Sequence, residues 1–421
     1  METEQRRLRF GPAGVDFQER INFARMRDYR KNRALAKLKE YGIAAALLTT
    51  SENARYVSGV KMPLHVGASE YGVLAFAEDP DPIVYQLGAQ EQQRFHASWI
   101  KPENMRWAYR MWGLGMGQSA MEFKSRQFAK AIKQDLIDKH LEREKFGVDA
   151  VSDVLKSSLE AEGLHIVSAA QALMEARAIK SEDEIDCLRM VGALVDTAWW
   201  EVYHALRPGI SAREVAARGF DALIRNGAEA IGMVAIRTGP DTAPINLGIS
   251  PTDRIIQYGD LVYLDIWGVQ FAGYRSCYYR TFKVGCKPTK KEQELYKKTR
   301  DPLYAVMDAI KPGATTADAA KHFLPPSAFG ASSEEEVFYN LCHGIGLAQY
   351  EIPITSRTIS DKYPQVYEKG MTMACETYFG DPWVGGCQLE NVIVVRENGY
   401  ENLYTMPDEE IIVPEHSLLV R

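Results

Sequence analysis

Side chains able to do chemistry stand in a few short motifs, most of them in the second half of this 421-residue chain. The six cysteines occupy positions 187, 277, 286, 342, 375 and 387. None shares CxxC spacing and most stand in apolar surroundings, so buried free thiols in a reducing cytosol explain them better than disulfides do. Cys277 is set apart by its neighbours. Carboxylates and one imidazole fall in Gly259-Asp-Leu-Val-Tyr-Leu-Asp265, in His343-Gly-Ile-Gly-Leu347 followed by Glu351, at Glu376, and in Leu389-Glu390-Asn391. Buried together, Glu376 and Glu390 would split their pKa values and leave one as a base.

Composition narrows the partners. With 46% hydrophobic and 25% charged residues the chain is an ordinary globular protein. Fifty basic against 56 acidic residues give a formal charge of −6, which offers nothing to a nucleic acid. The basic run Lys287–Lys291 is short, contains Pro288, and reads as a solvated loop. No apolar run approaches the roughly 18 residues of a membrane span, and the start Met-Glu-Thr-Glu-Gln-Arg-Arg is no signal peptide. A cytoplasmic enzyme with a small-molecule substrate is the expectation.

The elements that position these motifs divide into two domains, 1–178 and 179–421. In the first, Phe23–Tyr41 has helical periodicity, Gly42 ends it, and Ile43–Thr50 reads as a buried strand. Tyr71–Ala77 and Ile83–Leu87 are further strands, with Asp79-Pro-Asp-Pro82 a loop between them. A charged helix is expected near 120–143. The second domain opens on a helix whose Ser181-Glu-Asp-Glu184 start is a capping box. Of Trp199-Trp200 on that helix, adjacent positions point about 100° apart, so one belongs in the core. Arg207-Pro-Gly-Ile-Ser211 parallels Lys311-Pro-Gly-Ala-Thr315, each a helix end followed by a Ser or Thr cap. Two related halves of one domain would explain the echo.

Together these motifs resemble the creatinase/aminopeptidase-P superfamily. The resemblance rests on Asn53-Ala-Arg-Tyr56, Arg177–Ile185, Gly239-Pro-Asp-Thr-Ala243, Pro251–Ile255, Gly259–Asp265, Gly273-Tyr274 with Arg280-Thr281, the His343 motif with Glu351 and Pro353, Glu376 and Leu389–Asn391. Within it, Arg25–Arg33 and Gly399–Leu403 are similar to the dimethylsulfoniopropionate lyase branch. The resemblance implies an α+β chain, an α/β creatinase-type N-terminal domain followed by a pita-bread catalytic domain of two pseudo-symmetric halves, and a homodimer. It also implies five metal ligands, all hard or borderline donors. Asp265, His343, Glu376 and Glu390 match four of them. Cys277 stands at the fifth, where the family has a bridging Asp, and Trp267 where the lyase branch has a second Asp. Two-metal hydrolysis is therefore not expected. Either those four residues hold one divalent ion, zinc or iron, with Cys277 as a thiolate that would favour zinc, or no cofactor is required and the glutamates work as acid/base groups. The second arrangement is the expectation carried forward.

Three places where the resemblance implies proton-handling histidines fall on Asn246, Tyr350 and Tyr339. Amides and phenols do not titrate near neutrality, so aminopeptidase, prolidase and creatine amidinohydrolase activities are not expected. The lyase branch's catalytic aspartate is also missing from Ala348-Gln349-Tyr350. Trp267, Tyr339, Tyr350, Tyr378 and Trp383 would wall the pocket. His65 would reach in from a partner subunit's N-terminal domain. The reading is a lyase for a small phenolic, lignin-derived substrate in aromatic compound catabolism, releasing formaldehyde by retro-aldol cleavage. Glu376 or Glu390 would act as base, with Tyr350 and His343 beside them, and Trp267, Tyr339, Asn246, Tyr378, Cys277 and His65 would bind substrate. A creatinase- or ectoine-hydrolase-like C–N hydrolase, a one-metal dimethylsulfoniopropionate-lyase-like enzyme and a ligand-binding pseudoenzyme are the alternatives.

Overall fold

The computed structural model describes residues 21–61, 72–86, 97–109, 113–243, 251–337 and 340–419. His65, Asn246 and Tyr339, three of the expected site residues, lie outside them. The chain forms two compact units, Phe23–Arg177 and Ala178–Arg421, the latter also taking in Asn22.

In Phe23–Arg177 the strands are β1 (Ala45–Leu48), β2 (Gly72–Phe76), β3 (Asp79–Gln86), β4 (Met105–Trp107), β5 (Lys145–Val148) and β6 (His165–Ser168). They form one sheet in the order β4-β3-β2-β1-β5-β6. β1 runs antiparallel to β2 and parallel to β5, so the sheet is mixed. The helix Gln118–Asp138 packs Phe128, Ile132 and Leu136 against Leu47, Phe76 and Phe146. Asp79-Pro-Asp-Pro82 belongs to β3 instead of forming a loop. Pro80 and Pro82 have no N–H to donate, and the pairing with β2 shifts register at this point.

Ala178–Arg421 is built twice over. In its first half the helix Glu182–Ala205 starts at a Ser181/Glu184 capping box, and Ser211 caps the helix Ala212–Arg225. In its second half a Thr289/Glu292 capping box starts Lys290–Ala309, and Thr315 caps Thr316–Ala320. The glycines of both Pro-Gly pairs have left-handed backbones, φ +88° at Gly209 and +85° at Gly313. Each cap residue bridges the segment leading to a central strand, Ser211 to Ile255 and Thr315 to Val366. Those central strands also begin alike, after Gly259 (φ +86°) and Gly370 (φ +89°).

The first half supplies β7 (Met233–Thr238), β8 (Leu261–Trp267), β9 (Gln270–Phe271), β10 (Tyr274–Arg275) and β11 (Tyr279–Lys283), with β11-β8-β7 in one antiparallel sheet. The second supplies β12 (Leu341–Gly344), β13 (Glu351–Ser356), β14 (Thr372–Asp381), β15 (Gly385–Arg396) and β16 (Gly399–Asn402) in the order β13-β12-β14-β15-β16. Each sheet has a long helix against it. Trp199 of Glu182–Ala205 is fully buried against Tyr278 and Phe282, whereas Trp200 is 63% exposed. Leu303, Val306 and Met307 of Lys290–Ala309 share a core with Phe379, Leu389 and Ile393. No helix of the described residues is long and apolar enough to cross a membrane.

Candidate metal centre

Four strands and one connection present the chemistry. Asp265 stands on β8, His343 on β12, Glu376 on β14, Glu390 on β15, and Cys277 between β10 and β11. Side chains two apart on a strand share a face, so Tyr263 and Trp267 accompany Asp265, and Tyr378 accompanies Glu376. Opposite Asp265 in the register is Tyr279, and opposite Glu376 is Glu390.

Cys277, His343 and Glu390 come together. One ligand atom from each lies within 4.8 Å of the other two, and all three residues are buried. His343 Nδ1 is 3.0 Å from the Gly344 carbonyl, which assigns the ring proton to Nδ1 and leaves Nε2 as a lone pair. Nε2 lies 4.0 Å from Glu390 Oε1. Beyond a weak approach of the Cys277 thiol, neither Glu390 oxygen has a hydrogen-bond partner among the described residues, and neither does Nε2. Buried polar atoms without partners are costly. Three converging donors with that cost unmet fit a cation, and imidazole, carboxylate and thiolate together suit a borderline divalent ion such as zinc.

Asp265 and Glu376 stand differently. The Tyr278 N–H donates to Asp265 Oδ1 at 3.3 Å, and the nearby Tyr279 hydroxyl favours the carboxylate's charged form. Gln388 Nε2 donates to Glu376 Oε2 at 3.1 Å. Burial raises Asp265 to about 7 and, with the neighbouring Asp265 charge, Glu376 to about 8. Burial also raises Glu390 and the Cys277 thiol well above their ordinary values, each reinforced by nearby acidic groups, and lowers His343 to about 4. Without a cation the centre therefore holds protons, and a cation binding there displaces them.

A buried lattice holds β11 against β15. Arg280 Nη1 donates to the Glu390 carbonyl at 2.6 Å and Nη2 to Asn391 Oδ1 at 2.8 Å. Asn391 Nδ2 in turn donates to Asp408 Oδ2 at 2.8 Å. Thr281 Oγ1 donates to the Gln388 carbonyl at 2.9 Å and accepts from the Gln388 N–H at 3.1 Å. On the other side, Lys180 meets Glu351 at 2.7 Å with both side chains buried, fixing the turn after His343.

The aromatic residues separate into wall and surface. Tyr350 lies over His343, ring centroids 4.4 Å apart, and is 58% exposed. Tyr378 is buried, donates to the Thr242 carbonyl at 3.0 Å and meets Tyr263 edge-on. Trp267 packs over Gly232, where an added Cβ would lie 2.7 Å from its ring. Trp383, expected on the wall, is 95% exposed at the β14–β15 turn. Sequence reasoning missed Gln388 and Tyr279. Strand alternation around Glu390 could have found Gln388, whereas Tyr279 faces Asp265 only through cross-strand register.

The fold is the pita-bread fold preceded by a creatinase-type N-terminal domain. Residues 186–397 match the family described as metallopeptidase family M24, and residues 30–191 match the creatinase/prolidase N-terminal domain. The chain belongs to the M24 family, within the creatinase/aminopeptidase-P superfamily. The "Probable dipeptidase PepE" of Mycobacterium tuberculosis is 32% identical over 259 residues, 61% of this chain and 66% of that protein. The Xaa-Pro dipeptidase of Pyrococcus furiosus is 28% identical over 243 residues, 57% of this chain and 66% of that protein. The match thus spans just under two thirds of these relatives' length. Among solved structures, an Xaa-Pro dipeptidase from Bacillus anthracis superposes with a TM-score of 0.72 at 22% identity, covering 93% of this chain and 100% of that one. Dipeptidase PepE from Mycobacterium ulcerans gives 0.71 at 24% identity, covering 93% and 97%.

These relatives overturn the lyase expectation, with its phenolic, lignin-derived substrates, its formaldehyde release and its place in aromatic compound catabolism. They overturn equally the expectation against aminopeptidase or prolidase activity, because the names they carry are those of dipeptidases. The creatinase-like, ectoine-hydrolase-like, dimethylsulfoniopropionate-lyase-like and pseudoenzyme alternatives are not favoured either. The expectation took the lost histidines and the lost bridging Asp as decisive, whereas Cys277, His343 and Glu390 still form a group that could hold a cation without them. The cofactor-free arrangement likewise runs against a family described as metallopeptidases, with which a divalent metal is compatible.

Proposed function

We propose that this protein hydrolyses the amide bond of a small, dipeptide-like substrate with a divalent cation, zinc by preference, held by Cys277, His343 and Glu390. The observation that carries the reading is the convergence of one ligand atom each from Cys277, His343 and Glu390, all buried, with His343 Nε2 lacking any hydrogen-bond partner among the described residues. The names of the dipeptidase relatives support the substrate class.

A bound cation supplies Lewis acidity toward an amide carbonyl. The protein's own groups do the rest. Glu376, held by Gln388 and with a pKa raised to about 8, is poised to take a proton from water and return it to the leaving amine. The Nδ1–H bond to Gly344 keeps the His343 lone pair pointing inward. Tyr350, exposed beside His343, offers a ring against which a substrate side chain can pack. A homodimer in a reducing compartment, where Cys277 stays a thiol, completes the reading.

The test is a panel of Xaa-Pro and Xaa-Xaa dipeptides incubated with zinc-, manganese- and cobalt-loaded protein, with free amino acid measured. Release from at least one dipeptide, abolished by a chelator and restored by metal, is expected. Metal-loaded protein that releases no amino acid from any of them contradicts the reading.

A further inference from the structure

The internal duplication lets one half be read as a template for the other. Asp265 and Glu376 each stand six residues past a left-handed glycine, Gly259 and Gly370. Each lies on the central strand of its half and has a directly opposed residue on both flanking strands, one of them on the strand later in the chain. For Glu376 that residue is Glu390, a member of the cation-binding trio. For Asp265 it is Tyr279. Directly opposed residues on antiparallel strands hold their Cβ atoms about 4.5–5.5 Å apart on the same face. Tyr279 therefore fills, in the first half, the place from which Glu390 offers its carboxylate in the second.

The surroundings of Tyr279 agree with that placement. It is 4% exposed, and its ring meets Tyr263 edge-on at 6.2 Å. Tyr263 in turn meets Tyr378, so three buried tyrosines close the Asp265 end of the centre. The Tyr279 hydroxyl favours the charged form of Asp265 against the effect of burial. A neutral phenol is a poor cation ligand, and it stands where a carboxylate could have shared an ion with Asp265.

We propose that the centre takes one divalent cation, and that Tyr279, by occupying the first-half counterpart of Glu390 and capping Asp265, is the residue that excludes a second. This rests on the cation-dependent reading given above and deepens it. Asp265 is then a hydrogen-bonded neighbour of the centre and not a ligand.

Titration of chelator-treated, full-length protein with Co²⁺ tests it, because a thiolate ligand gives an intense near-ultraviolet charge-transfer band and each further ion adds visible d–d intensity. Wild type is expected to saturate at one equivalent per chain, and His343→Ala at none. Tyr279→Glu is expected to take two, and Tyr279→Gln, equal in size but uncharged, to stay at one. A wild type that takes two equivalents overturns the proposal while leaving the cation-dependent function standing. So does a His343→Ala protein that keeps one ion, since an ion would then be held on the Asp265 side. That measurement decides the matter even if Tyr279→Glu does not fold. A folded Tyr279→Glu protein that stays at one equivalent overturns the role given to Tyr279. Wild type that binds no Co²⁺, Zn²⁺ or Mn²⁺ would instead remove the functional reading itself.

Discussion

The two halves of Ala178–Arg421 share a plan and differ in what they place on it. Both run from a capping box through a Pro-Gly turn to a capped helix and a central strand carrying an acid. In the second half that acid faces another acid, and an imidazole lone pair stands nearby. In the first half the acid faces a tyrosine. The same scaffold thus sets two acids opposite each other in one half and an acid opposite a phenol in the other. On the proposed reading the cation sits with His343 and Glu390 of the second half, joined by Cys277 from the first.

Matched lesions in the two halves break or sharpen this contrast. The largest effect is expected from His343→Ala, which removes the only imidazole of the trio and should weaken Zn²⁺ binding more than about 1,000-fold by competition with a chromophoric chelator. Asp265→Asn should change the same affinity by less than about tenfold. Comparable losses would dissolve the distinction between the halves. Next comes Glu376→Gln. If Glu376 moves the proton, kcat on the best dipeptide falls about 10²–10⁴-fold while cation stoichiometry holds.

Lys180→Ala addresses the frame and not the centre. It removes the buried cation facing Glu351, which keeps its bond from the Ala348 N–H; breaking a buried ion pair costs about 3–5 kcal/mol in urea denaturation. A loss under about 1 kcal/mol would mean the turn after His343 is held by something else.

The protons give a subtler reading. Asp265 and Glu376 both have raised pKa values in the folded state, so folding favours their neutral forms. Their contribution to stability is fully present below the unfolded carboxylate range near about pH 4. It is lost as pH rises through about 7 for Asp265 and about 8 for Glu376. Chelator-treated protein should therefore melt at a higher temperature at pH 5.5 than at pH 8.5, and the stabilisation by added Zn²⁺ should be larger at pH 8.5. The reverse trend would mean that these carboxylates are charged and paired in the folded protein. Smallest of all, Trp383→Ala should change stability by less than about 0.5 kcal/mol, because its side chain is almost wholly in solvent.

Much of the plan was legible in the sequence because it is written in local rules. Ser181…Glu184 sets a helix start through hydrogen bonds within three residues, and Pro208-Gly209 and Pro312-Gly313 follow helix ends with the left-handed backbone that glycine permits. The duplication followed from that punctuation, and the family from ordered motifs. What escaped depends on register. Nothing local says that Tyr279 faces Asp265 or that Gln388 reaches Glu376, since those pairs are made by strand pairing and alternation. Asp79–Pro82 was misread for a related reason, since prolines at the start of β3 are tolerated where the ladder shifts. The chemistry was misjudged because the loss of the bridging carboxylate was given more weight than the alternative of Cys277 as a thiolate ligand. Its place beside His343 and Glu390 fits that alternative.

The most direct test is dipeptide hydrolysis by chelator-treated protein as Zn²⁺ is added in measured equivalents. The two-sided centre predicts activity that rises linearly and levels off at one Zn²⁺ per chain. Activity that stays at zero through the first equivalent and rises with the second would contradict it, because a second ion beside Asp265 would then be needed for the chemistry.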